Sequence, residues 1–312
     1  MKDRSFTFPI YSGLFFLLKY GAVCAPSEVA ETELDLVSRF VSETKLHGDP
    51  VHYGRALAMQ GETCHRLGRF EEAILSNAKL AEVYDAEKHS ALVVASYASD
   101  RCAQNFGLTS ICYVLLGQVD QALKLADYIE FTLMPHMNLK NVHNSIVTLY
   151  PILWILKDNG QAKRSLNLFT EFVKNPFDKY YGKDGSTPFL PAFKPFEVLF
   201  NTVLFVEKEH DTLDQSYFDW AIDIEKLKVN VKLDCACGNF GRGVMSISAE
   251  ACLNLAKLVD DPEKRIQILQ NGVILAELTK IGCDGSDGKP VNHFACKQIQ
   301  PILGEMHELL AD

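Results

Sequence analysis

What this chain lacks excludes several function classes before any motif is read. No dense basic stretch is present: the tightest groupings are Lys163-Arg164 and Lys264-Arg265, in a chain of formal net charge −9. A surface that tracks phosphates needs clustered Lys and Arg, so nucleic acid is not expected as a partner. No uncharged apolar run reaches the roughly 20 residues of a membrane-spanning helix, so no membrane span is expected. Neither Gly-x-x-x-x-Gly-Lys-Ser/Thr nor a protein-kinase signature occurs. A paired cysteine framework is also missing. The nine cysteines (Cys24, Cys64, Cys102, Cys112, Cys235, Cys237, Cys252, Cys283 and Cys296) are odd in number and scattered. Free cysteine behaves as a small buried hydrophobe, whereas a secreted disulfide scaffold favours an even count in a short chain. A reducing, cytoplasmic location is the expectation.

The N-terminal stretch needs a decision. Lys2 and Arg4 precede an apolar segment, Pro9 to Ala25, that ends Ala-Val-Cys-Ala, the outline of a signal peptide. Lys19 interrupts that segment and Pro26 follows the would-be cleavage point, while Leu14, Leu17, Leu18 and Gly21 recur with helical spacing. The helix reading is preferred.

What is present is a helical chain with a repeated phrase. Of the 312 residues 47% are hydrophobic and 23% charged, the balance of a folded protein. Leu67-Gly68-Arg69-Phe70-Glu71-Glu72-Ala73-Ile74 and Leu116-Gly117-Gln118-Val119-Asp120-Gln121-Ala122-Leu123 share Leu-Gly-x-apolar-acid-x-Ala-aliphatic. Glycine ends one helix in the left-handed conformation, and the small alanine lets the next helix lie close against it. A weaker copy, Asn159-Gly160-Gln161-Ala162-Lys163-Arg164-Ser165-Leu166, keeps the glycine but places Ser165 where the alanine stands. The small residues Ala73, Ala122 and Ser165 are 49 and 43 residues apart, longer than the 34 of a standard tetratricopeptide unit. The surplus is expected in the connections Asp85–Asp100 and Pro135–Asn141.

The expected architecture is all-α, an α-solenoid of tetratricopeptide-like antiparallel helix pairs. The pairs are Ile10–Val23 with Ala30–His47, Val51–Leu67 with Arg69–Tyr84, Ala103–Leu116 with Val119–Leu133, and Val142–Lys157 with Gln161–Lys174. Residues 1–178 form the array and 179–195, rich in Pro and Gly, a break that excludes helix from Tyr180 to Pro195. Residues 196–312 continue or cap the array, with helices over Phe196–His210, Gln215–Val229, Val244–Val259, Pro262–Thr279 and Val291–Leu310. Lys228–Leu233 is the one candidate strand, because Val229, Val231 and Leu233 alternate with polar residues.

The stretch from Tyr11 to Val173 resembles the tetratricopeptide-like tail of multidomain signalling proteins, in which a nucleotide cyclase or kinase head and a predicted NTPase module precede a helical array. The likeness is carried by Tyr11-x-Gly13-Leu14, Leu18-x-x-Gly21, Gly48-Asp49-Pro50, the phrase from Leu67 to Ala73, Tyr84-Asp85-x-Glu87-Lys88-His89, Tyr97-x-x-Asp100 and the phrase from Leu116 to Leu123. Arg101 stands where that family has proline, and residues after Tyr180 lie outside the likeness. The resemblance implies protein–protein contact or regulation without catalysis, and a partner that is itself a protein.

If a partner lies in the concave groove, the first helix of each pair lines it. With Gly61 and Ser110 as the closest-packing positions, the groove carries Arg55, Glu62, His65 and Arg66, then Gln104 and Ile111, then Tyr150, Trp154 and Lys157. Arg, Tyr and Trp are the types that anchor interfaces, although Trp154 reads equally well as core. A rival reading places an anionic ligand or nucleotide at the glycine-rich run Gly238, Gly241, Arg242 and Gly243, which leads into the expected helix at Val244. No βαβ unit surrounds that run, as a nucleotide fingerprint requires. Cys235 and Cys237 lack a second close pair among Cys252, Cys283, His293 and Cys296, so no metal and no cofactor are expected. Cys64 and His65 are adjacent on a helix and point about 100° apart, so a Cys–His nucleophile is not expected. A helical enzyme with a site assembled between the helices is the weakest alternative.

Overall fold

A computed structural model describes residues 27–97, 99–138, 141–181, 190–223, 239–283 and 293–311. Every regular element among them is helical. The first expected helix and the candidate strand at Lys228–Leu233 lie outside the described residues. The chain packs as two compact units, one running to Leu156 and the other from Lys157.

In the first unit, α1 (Ser27–His47) packs on α2 (Pro50–Arg66) and α2 on α3 (Phe70–Val83). Asp49 starts α2, its carboxylate accepting from Val51 N at 2.8 Å and His52 N at 3.3 Å, with Pro50 in the first turn. Val37 and Phe40 of α1 pack on Ala56 and Met59. Ala73 is buried against Cys64 and Cys112, which is the close approach assigned to the small residue of the repeated phrase. Next comes α4 (Ala86–Tyr97), a helix where the sequence reading allowed only a connection. α5 (Arg101–Leu115) lies against α2, α3 and α6 (Val119–Tyr128), so the second hairpin packs on the first through α5. α6 runs on through a π-helical turn, Ile129–Leu133, and α7 spans Val142–Asp158.

The hinges share one geometry. Gly68, Gly117 and Gly160 have φ of 73°, 75° and 72°. At the first two, the glycine N–H bonds three residues back (to His65 O, 3.1 Å; to Val114 O, 3.0 Å). The next N–H bonds five back (to Cys64 O, 2.9 Å; to Tyr113 O, 2.8 Å). A further copy was not read from the sequence. Lys208, at φ 60°, donates to Phe205 O at 3.1 Å while Glu209 donates to Leu204 O at 2.8 Å. It ends α10 (Leu190–Val206) without a glycine.

In the second unit, α8 (Ala162–Phe169) continues through a π turn, Thr170–Lys174, into α9 (Asn175–Tyr181). Helix therefore reaches Tyr181 and resumes at Leu190, through Pro191 and Pro195, where the proline content argued against it. Pro191 sits in the first turn, whose N–H groups have no intrahelical partner to lose. Pro195 is buried, and the helix around it is anchored by ring contacts: Phe169 stacks on Phe196 at 5.5 Å, with Phe200 edge-on at 6.4 Å and Phe177 edge-on to Phe193 at 5.1 Å. Aromatic burial of this kind is worth about 2 kcal/mol per side chain, comparable with the cost of the missing hydrogen bond. α10 packs on α8 and on α12 (Asn239–Ala256). α12 in turn packs on α13 (Pro262–Cys283) and α14 (His293–Ala311), and α11 (Gln215–Ile222) lies on α12 and α13. α13 starts at Pro262 as expected, and Asp261 caps it, accepting from Glu263 N at 3.0 Å.

Candidate functional site

The first helices carry polar side chains at two-turn spacing, so Arg55 and Glu62 share one face of α2. From α5, Arg101 brings Nη1 to 4.0 Å from Glu62 Oε1. Gln104, one turn on, donates through Nε2 to Asn144 Oδ1 of α7 at 2.9 Å. Tyr150 of α7 is buried, and burial followed by the charge of Glu62 raises its hydroxyl pKa. Arg55, Glu62, Arg101, Gln104, Asn144 and Tyr150 thus form one polar layer across α2, α5 and α7. Arg55 is fully buried; burial, then the neighbouring Arg101, pushes its pKa down to about 10. It stays cationic at neutral pH.

This layer is interior. Between Val51 and Arg66, and between Cys102 and Leu115, every residue is buried or half-buried. All nine side chains assigned to a groove are enclosed: Arg55, Glu62, His65, Gln104, Ile111, Tyr150, Trp154 and Lys157 are buried, and the Arg66 side chain is 7% exposed. Only Arg55, Glu62, Gln104 and Tyr150 come together. His65 lies beside Phe70 with ring centroids 6.0 Å apart, so it is buried where an outward face was expected. Arg66 pairs with Glu33 of α1, which also accepts from Thr63 Oγ1 at 2.6 Å. Lys157 belongs to the second unit, where it pairs with Glu250 and lies 2.7 Å from Asp158. Burial lowers its pKa, but the two carboxylates outweigh burial and the net shift is upward. The opposite balance holds at Glu250, whose pKa burial raises despite Lys157.

Arg101 and Asn144 were missed by sequence reasoning. Arg101 drew notice only as a replacement for proline; its position one turn before Gln104 was the signal. Asn144 is embedded in an apolar helix, and its N–H bond to Asn141 Oδ1 at 3.2 Å reads as a start signal and not as a site.

Other residues singled out by the sequence serve the frame. Asp100 caps α5, accepting from Ala103 N at 3.0 Å, and also accepts from the buried Tyr84 hydroxyl at 2.6 Å. Tyr84, His89 and Asp100 carried much of the family resemblance, and their work is to hold helix ends. No nucleophile emerges at Cys64-His65: burial pushes the Cys64 thiol up to about 11. The backbone of α12 begins at Asn239, so Gly241, Arg242 and Gly243 fall inside its first turns, and Gly238 lies outside the described residues. Among the described residues no three His, Cys, Asp or Glu side chains group to hold a metal ion, and no helix is long and apolar enough to cross a membrane.

Comparisons with protein-family models, with curated proteins and with solved structures found no match.

Proposed function

We propose that the chain is a protein-interaction or regulatory module built as a solenoid of antiparallel helix pairs, akin to the helical tail of large signalling proteins. The observation that carries this reading is the hinge, one hydrogen-bonded geometry used at Gly68 and Gly117 and met again at Lys208. A chain that reverses the same way repeatedly adds surface with each pair, which suits recognition better than a single reaction centre. Support also comes from the polar layer. Arg55, with its pKa at about 10, stays cationic at neutral pH, which suits complementarity to a charged partner more than proton transfer. Because the layer is enclosed, recognition through Arg55, Glu62, Gln104 and Tyr150 goes with opening of the first helices.

The test is affinity capture with the full chain as bait, beside a variant whose hinges are broken by Gly68→Val and Gly117→Val. The expected result is a partner that binds the wild type saturably and is lost with the variant. Recovery of the same proteins in the same amounts by both baits ends the reading.

A further inference from the structure

The repeated hinge accounts for α2, α3, α5 and α6 but not for α4, which is inserted between two hairpins. Its first end is held locally. Asp85 N donates to His89 Nδ1 at 3.0 Å, Lys88 N donates to Asp85 Oδ1 at 3.3 Å, and Lys88 Nζ lies 2.6 Å from Asp85 Oδ2. From its first residue to its middle it buries Ala86, Ser90 and Val93. Its last residue reaches across to another element. The Tyr97 hydroxyl lies 2.6 Å from His52 Nδ1 of α2, the two rings meet edge-on at 5.7 Å, and the Arg55 guanidinium sits 5.3 Å over the tyrosine ring.

We propose that the His52–Tyr97 hydrogen bond is a pH-sensitive latch, which holds the C-terminal end of α4 on α2 while His52 is neutral and releases it when His52 takes up a proton. The chemistry is that of donor and acceptor roles. In its Nε2–H tautomer a neutral imidazole accepts at Nδ1 from the tyrosine O–H, whereas an imidazolium has N–H at both nitrogens and can only donate. The hydroxyl must then turn and accept from the imidazolium, and release comes from the second cation that joins Arg55 beside the same ring. Tyr97 does not offset this by ionising, because its own pKa is raised, by burial first.

Titratable groups around His52 include Asp49 in its own turn, His47 at the end of α1, and Tyr97 from α4, with Arg55 one turn on over the Tyr97 ring. Burial lowers the His52 pKa, Asp49 opposes it and His47 adds to it, with the net shift below 6.5. The sign follows. The folded state prefers neutral His52, so the latch is closed above pH 6.5 and opens as pH falls through the lower, folded value. The inference does not depend on the interaction reading.

Hydrogen exchange of the full chain, followed by mass spectrometry at about pH 7.5 and about pH 5.5 and corrected for intrinsic rates, tests it. Protection over 86–97 should fall several-fold on acidification while that over 102–115 holds. His52→Gln should abolish the acid response, and Tyr97→Phe should lower α4 protection at the higher pH already. Parallel loss in both segments, or an acid response that survives His52→Gln, overturns the proposal. So does a wild-type NMR titration that finds the His52 imidazole at 6.5 or above, a measurement that needs no variant to fold.

Discussion

At Gly117 the backbone stands at φ 75°, and a β-carbon built there would meet nothing within 4 Å. Its glycine is required by conformation alone. Gly107 is the reverse case: its φ is ordinary, but a β-carbon would come within 2.4 Å of the Thr148 carbonyl oxygen of α7. The two should separate in a denaturant series. Gly117→Ala should cost about 1 kcal/mol, the penalty of an L-residue in the left-handed region. Gly107→Ala should cost nearer to about 3 kcal/mol, because backbone must give way to backbone. Equal costs would mean that α5 and α7 are not in that contact. Lys208 carries the same strain as Gly117 with the wrong residue, so Lys208→Gly should stabilise by about 0.5 kcal/mol, the strain relieved less the added freedom of the unfolded chain. A lowered melting temperature in that variant would speak against the hinge at 208.

At the scale of the element, Asp100 joins the end of α3 to the start of α5 through one carboxylate. Asp100→Ala removes a cap worth about 1 kcal/mol and strands the buried Tyr84 hydroxyl, at about 2 kcal/mol more. The double variant Asp100→Ala with Tyr84→Phe should recover much of the second loss. Additive losses would show the bond to be incidental. The helix start at Pro262 and the hinges at Gly68 and Gly117 were legible because each depends on a residue type with a local mechanism. α4 was not legible. Its apolar residues, Ala91, Leu92, Val93, Val94 and Ala95, run together without a 3.6-residue rhythm, and only Val93 among them is buried. The π turns at Ile129–Leu133 and Thr170–Lys174 were invisible for a related reason, since both lie inside stretches that read as continuous helix.

For the molecule as a whole, the buried cysteines offer a readout of folding. Burial raises the thiols of Cys64 to about 11 and of Cys112 and Cys252 to about 12, and lifts Cys102 well above the ordinary thiol range. A thiolate is the reactive form, so at about pH 8 alkylation at these four should be slow in native buffer and should track global unfolding. Peptide mapping separates them from the remaining cysteines. Rapid native labelling at any of the four would show that the core around it opens on its own.

The sequence by itself determined that the chain is helical, where its capped helices begin, and at which glycines it reverses, because a left-handed turn, a carboxylate cap and a small residue at a close approach are one-residue requirements. Tertiary structure alone decided what the first helices face. Helical periodicity says which side chains share a stripe but not whether that stripe meets water or another helix, and here Arg55, Glu62, Gln104 and Tyr150 share a stripe that is enclosed. It also decided that helix persists through Pro195, since the rings that anchor this helix, Phe193, Phe196 and Phe200, meet Phe169 only when α8 and α10 pack.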